Sequence, residues 1–461
     1  MRQNMSVRGS WTEQPGSARL TARSRAVRHR TVLVDRTAQV GLVVLLLAGA
    51  VVAVGAAHTP SLLPESIRPA PAWLQGAFGP VALDLHVGGA IAALVCMFAS
   101  YVLVLRRAGR LGARAVVTAI LVLHVLMLLA PPLVSTDLFS YQAYARMGAH
   151  YGIDPYLHGP EAIRLDTVFP YVGAKWSSIP SAYGPVFTVG SYLLAPLTVA
   201  SSVVAYKSIA AGASLGLVYL VWRCARLRQI DPVRAIAMVG LNPLLVVYGV
   251  GGGHNDLLML LALAAALTML LSGREATGGA LSILAIGIKL TGGLALPFAL
   301  ADGGRRRGVT GRRNLVLGCV VGVALLAALS IAFFGSGSLH LFSTVSQAQS
   351  EGDWLSISGA IREKLGLAEL GLIVGDALIA GFLLVSARLL VRVWRGAIDW
   401  IAAAGWATVA MLVASSSLLP WYVAWALPFA ALGRDRRLRT AVIALTGVVL
   451  GTQLLGSIPH G

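Results

Sequence analysis

The sequence predicts an all-α polytopic membrane protein with about thirteen transmembrane helices. Of its 461 residues, 57% are hydrophobic and only 12% are charged, and the mean hydropathy of the chain is +0.76. Soluble domains carry roughly 25% charged residues. One soluble core could not bury so much apolar surface, so soluble, disordered and coiled-coil classes are excluded.

The apolar runs approach the roughly 20 residues that a membrane-spanning helix needs. They lie at residues 38–57, 87–105, 114–134, 184–200, 202–222, 234–250, 255–272, 277–302, 314–334, 371–391, 400–418, 420–433 and 440–457. Together, residues 38–457 form one predicted transmembrane domain. The preceding residues 1–37 are rich in arginine and serine, which predicts a disordered cytoplasmic tail, and 458–461 are a short C-terminal tail.

The net charge of +18 comes from arginines in short segments between the apolar runs. With the N-terminus inside, such segments fall in the cytoplasm, as the positive-inside rule requires. They are residues 106–114, 303–313, 392–399 and 434–439. This distribution predicts a multi-pass protein of the plasma membrane, with the lipid bilayer and not nucleic acid as the partner of the charges.

One basic segment breaks the rule, because residues 223–234 fall on the outer face in this arrangement. In an alternative arrangement, residues 184–222 cross the membrane once and residues 277–302 form a re-entrant pair. This alternative satisfies the charge rule but requires irregular backbone at membrane depth.

Two long segments, 135–183 and 335–370, fall on the outer face in both arrangements. Loops of this length are uncommon unless they have a function. The first segment combines carboxylates with several tyrosines and a tryptophan. Aromatic faces stack on sugar rings and carboxylates accept hydrogen bonds from hydroxyls, so this composition is typical of a sugar-binding surface.

Asp137 is the leading catalytic candidate, because it follows an apolar run and precedes a helical pattern at the outer membrane edge. A partly desolvated carboxylate there is expected to have a raised pKa and to act as a general base. Asp137 could also cap the following helix. The two roles are compatible.

Three further segments place polar groups within or between apolar runs. Gly251-Gly252-Gly253-His254-Asn255-Asp256 joins two of them, and Lys289 lies inside one, where an ionisable residue usually faces a cavity or a partner. Leu419-Pro420-Trp421-Tyr422 is typical of an interfacial aromatic belt. The sequence has no DxD pair, HExxH or Walker motif, which favours chemistry without a metal.

These motifs occur in a recognisable order. Thr136-Asp137-Leu138-Phe139-Ser140-Tyr141 is followed by Asp154-Pro155-Tyr156, Tyr183-Gly184-Pro185, His254-Asn255-Asp256, Lys289 and Leu419-Pro420-Trp421-Tyr422. Over residues 38–457 the chain resembles the polyprenol-phosphate-mannose-dependent α-(1→6)-mannopyranosyltransferases of actinobacterial lipomannan and lipoarabinomannan assembly, which are GT-C membrane glycosyltransferases. Two apolar runs precede the one that leads to Asp137, whereas in the minimal GT-C pattern this aspartate follows the first span.

The resemblance implies a GT-C fold and an inverting, metal-independent reaction on the extracytoplasmic face. Mannose would pass from polyprenyl-phosphate-mannose to the 6-hydroxyl of a mannan or lipomannan acceptor, with no cofactor beyond these substrates. Asp137 matches the family's catalytic carboxylate. Candidates for binding the donor phosphate are Lys289, Arg146, His254 and His340. Candidates for binding the sugars are Tyr141, Tyr183, Asn255, Asp256, Trp354, Trp421 and Tyr422.

Two other functions remain open at this stage. A transporter or flippase of a lipid-linked sugar would need a similar number of spans, although such proteins usually carry internal repeats, which this sequence lacks. A GT-C arabinofuranosyltransferase or protein O-mannosyltransferase would share the same motif spacing.

Overall fold

The structure, a computed structural model, describes residues 35–306, 308–350 and 356–456. These residues form helices and connecting segments, with no β-strand among them, which confirms the all-α prediction. The predicted tails, apart from residues 35–37, lie outside the described residues, and so does the candidate Trp354.

The helices follow the apolar runs along the chain. They are α1 (Arg36–Gly55), α2 (His86–Arg107), α3 (Ala113–Leu129), α4 (Asp137–Tyr151), α5 (Pro185–Tyr192), α6 (Val199–Leu227), α7 (Pro232–Gly240), α8 (Asp256–Leu271), α9 (Glu275–Ile288), α10 (Leu296–Arg306), α11 (Gly308–Phe334), α12 (Leu341–Ser350), α13 (Ile357–Glu363), α14 (Ala368–Trp394), α15 (Trp400–Ala414), α16 (Leu427–Leu432) and α17 (Arg436–Gly456). A π-helical segment, Leu244–Val250, extends α7, and 3-10 segments at Leu290–Ala295 and Pro420–Ala426 precede α10 and α16.

Five helical segments of the described chain are long and apolar enough to cross a membrane, or six if α7 and its bent π-helical extension count as one span. The five are Arg36–His58, His86–Arg110, Val199–Leu227, Gly308–Phe334 and Ala368–Trp394. Several other apolar helices are shorter, at 10–17 residues. The structure therefore supports a polytopic membrane protein, but the predicted number of thirteen spans is not confirmed.

The arginine-rich segments meet at one end of the helix bundle, here called the basic end. Arg107 contacts the carboxylate of Asp35 at 2.8 Å, and Arg228 contacts that of Asp399 at 2.8 Å. Arg434 donates a hydrogen bond to the carbonyl oxygen of Arg228. The segment 223–234 therefore lies with the other basic segments, and its predicted placement on the opposite face is wrong.

The reason for this error lies in two apolar runs. Residues 184–200 contain only the eight-residue α5 and irregular turns, and eight helical residues extend about 12 Å, too short for a crossing. Residues 277–302 divide at Lys289, where the backbone is extended and then folds back, so that Gly292 packs against the Ala285 carbonyl. These are the features of the alternative arrangement.

Close helix packing around this reversal depends on glycine. Helices α9 and α11 lie side by side, and a Cβ atom on Gly318 would be 1.9 Å from the Ala276 carbonyl oxygen. Gly318 and Gly322 form a GxxxG pattern, which lets two backbones approach closely in a membrane. This packing fixes the end of α9, and with it Lys289, at the end of the bundle opposite the basic end.

In their described residues, the two long segments predicted as outer loops contain several helices. The first contains α4, most of whose residues are buried, and the second contains α12 and α13. Asp154 of the first segment packs against Gly337 of the second. Both segments therefore cover the end of the bundle opposite the basic end, and this is where the candidate catalytic residues meet.

Candidate active site

Asp137 is the first residue of α4 and points toward the glycine-rich segment at 251–256. Its Oδ2 atom lies 3.2 Å from Nδ1 of His254, which is completely buried, while the Asp137 side chain is 14% exposed. Thr136 occupies the N-cap position, where no side chain caps the helix. The carboxylate of Asp137 therefore remains available to a ligand, and the alternative role of helix cap is wrong.

The environment of Asp137 favours its ionised form. Burial raises the pKa of this carboxyl, but the contact with His254 and the charge of Lys289 outweigh burial and bring the pKa below its ordinary value. The predicted rise in pKa is therefore wrong. A carboxylate that is charged at neutral pH is an acceptor of hydrogen bonds and of a proton.

The segment before α4 is held under backbone strain. Val134 has a φ of 63°, a left-handed conformation that is rare for a β-branched residue. Its N–H bonds the Leu62 carbonyl, and the neighbouring N–H of Leu133 bonds the Gly251 carbonyl. These bonds connect the chain entering Asp137 to the glycine-rich segment that carries His254. Strained backbone of this kind clusters at functional sites.

Lys207 fixes the same strained segment from the other side. This lysine of α6 is 1% exposed, and its Nζ donates hydrogen bonds to the carbonyl oxygens of Ala130 and Pro131. Its side chain also packs against Gly253, whose φ is +69°. Lys207 was not among the sequence candidates, although a lysine inside the apolar run 202–222 was the available signal.

Lys289 forms a buried ion pair at the end of α9. Its Nζ lies 2.7 Å from Oδ1 of Asp256, the first residue of α8. Nε1 of Trp425 donates a second 2.7 Å hydrogen bond to the same oxygen. The ammonium also lies 4.8 Å from the ring centre of Tyr422 and 5.3 Å from that of Trp425. Lys289 has three donors, and these contacts leave at least one of them for a ligand.

Aromatic rings form the wall around these charged groups. His254 stacks on Trp421, with ring centres 3.6 Å apart, and Tyr422 stacks on Trp425 at 4.1 Å. Both tryptophans are more than nine-tenths buried. The 3-10 segment that carries them is therefore part of the site, and its interpretation as an interfacial belt is wrong.

Tyr141 and Tyr183 form the opposite wall. The rings of these tyrosines pack edge to face, with centres 4.8 Å apart, and the Tyr141 hydroxyl donates to Oδ1 of Asn255 at 3.3 Å. Gly184 donates a backbone hydrogen bond to Ile288, and a Cβ at this position would lie 2.2 Å from the Gly287 carbonyl oxygen. The Tyr183-Gly184-Pro185 turn therefore rests directly on the end of α9, beside Lys289.

A cavity of about 390 Å³ opens in front of these residues. Its polar floor includes Asp137 and Lys289, and its apolar side includes Ile379 and Phe382 of α14. Buried polar atoms without an aligned hydrogen bond lie directly behind the floor. They are both ring nitrogens of His254, Nδ2 of Asn255, Oδ2 of Asp256 and Nε1 of Trp421. Unsatisfied buried groups are rare in proteins, so their concentration here indicates a ligand site.

The structure brings most of the sequence candidates together. Asp137, Lys289, Tyr183 and Tyr422 line the cavity. Behind or beside them lie His254, Asn255, Asp256, Tyr141 and Trp421. Trp176 and Trp425, which were not among the sequence candidates, also line the cavity. Among the described residues, no three His, Cys, Asp or Glu side chains are arranged to hold a metal ion.

Two phosphate-binding candidates lie elsewhere. Arg146 forms an ion pair with Asp166 and donates to the carbonyl oxygen of Leu197. His340 is exposed in the short 3-10 segment Gly337–His340. Neither residue lines the cavity. Of the four candidate cations, only Lys289 lines it.

Comparison with known proteins identifies the family. Residues 38–302 match the family model described as "Alpha-(1->6)-mannopyranosyltransferase, N-terminal domain". The chain belongs to this family. Residues 367–454 match a second model, described as "MptB C-terminal domain". No solved structure matches the chain.

Curated relatives of this α-(1→6)-mannopyranosyltransferase family are found in actinobacteria. The chain is 28% identical over 357 residues to alpha-(1->6)-mannopyranosyltransferase A of Mycobacterium tuberculosis, covering 70% of this chain and 66% of the relative. It is 28% identical over 360 residues to alpha-(1->6)-mannopyranosyltransferase B of Corynebacterium glutamicum, covering 69% and 59%. The chain therefore spans less than two thirds of the length of either relative.

Proposed function

We propose that this protein is a membrane mannosyltransferase of the GT-C type. In the proposed reaction, mannose passes from polyprenyl-phosphate-mannose to the 6-hydroxyl of a mannan acceptor and forms an α-(1→6) linkage of lipomannan or lipoarabinomannan. Membership of the α-(1→6)-mannopyranosyltransferase family supports the product linkage. The observation that carries the mechanism is the cavity that places an ionised carboxylate and a cation on one polar floor.

Asp137 is the proposed general base. It takes the proton from the acceptor hydroxyl while that oxygen forms a bond to the anomeric carbon of the donor mannose. The bond from this carbon to the phosphate oxygen breaks on the opposite face, which inverts the anomeric configuration. A phosphate leaves as a stable anion without a proton, so a single carboxylate suffices, unlike the carboxylate pair of glycoside hydrolases. The reaction requires no metal or other cofactor.

Lys289 is the proposed partner of the leaving phosphate. Its side chain is 11% exposed and lines the cavity, and Asp256 holds its ammonium in place. A fixed positive charge in a poorly hydrated cavity stabilises negative charge that develops on the departing oxygen. Asp256 does not compete as the base, because its Oδ1 atom already accepts from Lys289 and Trp425.

The apolar side of the cavity suits a prenyl chain. Ile379 is exposed on α14 and lines the cavity. Helix α14 contacts few neighbours and exposes most of its surface, since only 6% of its most apolar 18-residue stretch is buried. A lipid-linked donor could therefore enter from the bilayer beside α14 and place its phosphate near Lys289. We place this end of the bundle on the extracytoplasmic face, because the arginine-rich segments lie at the other end.

A labelled-donor assay tests this function. Membranes that contain the protein receive polyprenyl-phosphate-[¹⁴C]mannose and a short α-(1→6)-mannoside, and the product is analysed for linkage and anomeric configuration. We expect an acceptor extended by one α-(1→6)-mannose. An arabinose donor used in preference to mannose, or a protein acceptor, would instead favour the other GT-C enzymes. Transfer of an unchanged lipid-linked sugar across the bilayer would favour a flippase.

A further inference from the structure

A second cleft lies at the basic end, far from the candidate active site. It has a volume of about 600 Å³ and is lined by residues of two separate basic segments. Four arginines face it, together with one carboxylate: Arg106, Arg107, Arg110, Arg234 and Asp231. Nothing in the proposed transfer reaction uses this cleft.

The positive charge of the cleft is only partly balanced. Arg107 and Arg110 share the carboxylate of Asp35, at 2.8 Å and 3.2 Å. Asp231 caps its own helix, accepting from the backbone N–H groups of Val233 and Arg234. In the described part of the chain, the guanidinium groups of Arg106 and Arg234 have no carboxylate within ion-pair distance.

Two further arginines, Arg436 and Arg439, carry positive charges close to Arg234. Burial lowers the pKa of Arg439, and the nearby charges of Arg234 and Arg436 lower it further, while Asp435 opposes them. Crowded arginines are unfavourable unless an anion lies between them. Guanidinium groups match phosphate oxygens in geometry and remain charged at every physiological pH.

An apolar surface continues from the cleft. Helix α1 begins at Arg36, next to the Asp35 carboxylate that holds Arg107 and Arg110. Val40 and Val43 lie within two turns of this point and are 60% and 53% exposed. Exposed valines on a membrane-spanning helix face acyl chains. Arginines therefore line the cleft at the level of the lipid headgroups, and the neighbouring helix α1 exposes apolar side chains one step deeper.

From this arrangement, we propose that the cleft binds the phosphate of an anionic phospholipid headgroup, with the acyl chains along α1. A soluble phosphate would use only the arginines. A phospholipid uses both the arginines and the adjoining apolar surface, which favours a lipid as the ligand. Basic pockets between transmembrane helices on the cytoplasmic side bind anionic headgroups in other membrane proteins.

Lipid binding to the full-length protein in detergent tests this site. Dioleoylphosphatidylglycerol or dioleoylphosphatidylcholine is titrated as mixed micelles, and bound lipid is counted by native mass spectrometry. We expect the wild-type protein to prefer phosphatidylglycerol. In R106Q/R234Q the affinity for this lipid should fall by about tenfold or more, because each arginine near the surface contributes appreciably to anionic-lipid binding. Inorganic phosphate alone should not compete.

A matched control distinguishes lipid binding at this cleft from non-specific attraction of the lipid to surface charge. R274Q/R313Q removes two exposed arginines that do not line the cleft, and it should bind phosphatidylglycerol like the wild type. The proposal is overturned if both double variants lose affinity equally, if the wild type shows no lipid preference, or if inorganic phosphate displaces the lipid. Because R106K/R234K keeps both charges, it should bind more tightly than R106Q/R234Q. Thermal unfolding of R106Q/R234Q at the wild-type temperature would show that its loss of binding does not reflect misfolding.

Discussion

At the level of single residues, the two carboxylates of the candidate site, Asp137 and Asp256, have different surroundings. Asp256 is 1% exposed and bonded to Lys289 and Trp425, whereas Asp137 faces the cavity. Their positions in secondary structure are similar, since each carboxylate belongs to the first residue of a helix. Only the folded structure shows that Asp256 forms an ion pair with Lys289, whereas Asp137 is open to a substrate in the cavity.

Replacing Lys289 by methionine should weaken donor use and destabilise the fold. The buried carboxylate of Asp256 would lose its ion pair, which typically costs about 3–5 kcal/mol. We expect KM for the lipid donor to rise at least tenfold, on the order expected for loss of a charge-assisted hydrogen bond. Donor kinetics and thermal unfolding in detergent measure the two effects.

The double variant D256N/K289M separates these effects. It removes both charges, so its stability should return toward wild type while its KM for the donor stays high. Recovery of normal donor kinetics in the double variant would contradict the assignment of Lys289 to the phosphate.

Lys207→Met tests whether the strained segment positions Asp137. Loss of the donor to the Ala130 and Pro131 carbonyls should destabilise the protein by about 1–3 kcal/mol, because both acceptors are then buried without a partner. We expect kcat to fall by about tenfold with KM for the donor unchanged, since a displaced base affects the reaction more than binding. An increase in KM at constant kcat would assign Lys207 to substrate binding instead.

At the level of elements, hydropathy predicted most helices but not their breaks. Runs such as 38–57 and 371–391 correspond closely to α1 and α14. The reversal at Lys289 was invisible to a hydropathy window, because 277–302 is apolar on both sides of the turn. The pairing of Arg146 with Asp166 was equally hidden, since it depends on how the segment after α4 folds back over it.

The stability of the packing between the two outer segments should depend on pH, because Asp154 lies between them. Burial beside Gly337 raises the pKa of this carboxyl, although the backbone N–H of Tyr156, which donates to it, and the nearby His158 and His340 oppose the effect. A raised pKa in the folded state means that stability is greatest below the ordinary pKa and falls as pH rises through the folded value. Asp154→Asn should therefore raise Tm at pH 7 and have little effect near pH 3, which is below the ordinary pKa of the carboxyl. A variant that is less stable at pH 7 would contradict this.

At the level of the whole molecule, the arginine-rich segments and the candidate active site lie at opposite ends of the helix bundle. The arginine-rich segments meet at one end, and the carboxylates, lysine and aromatic rings of the candidate site meet at the other. The separation was predictable from the charge pattern. For residues 223–234 the sequence left two arrangements open, and the contacts of Arg228 with Asp399 and Arg434 decide between them.

Cysteine labelling of intact cells tests this orientation. Leu165 is 94% exposed among the residues that follow α4, and Val309 is 86% exposed near the start of α11 at the basic end. Leu165→Cys should react with a membrane-impermeant maleimide added outside, and Val309→Cys should react only after permeabilisation. The unsubstituted protein, with its three cysteines, gives the background. The reverse pattern would place the candidate site in the cytoplasm.

The central claim is that Asp137 removes the proton from the acceptor hydroxyl. Its most direct test is single-turnover transfer by Asp137→Asn in the presence of saturating donor and acceptor, with donor affinity measured separately. The account predicts that the rate falls by about 10²–10⁴, the usual contribution of a general base, while donor affinity changes little. Asp137→Asn protein that transfers mannose at the wild-type rate would contradict it.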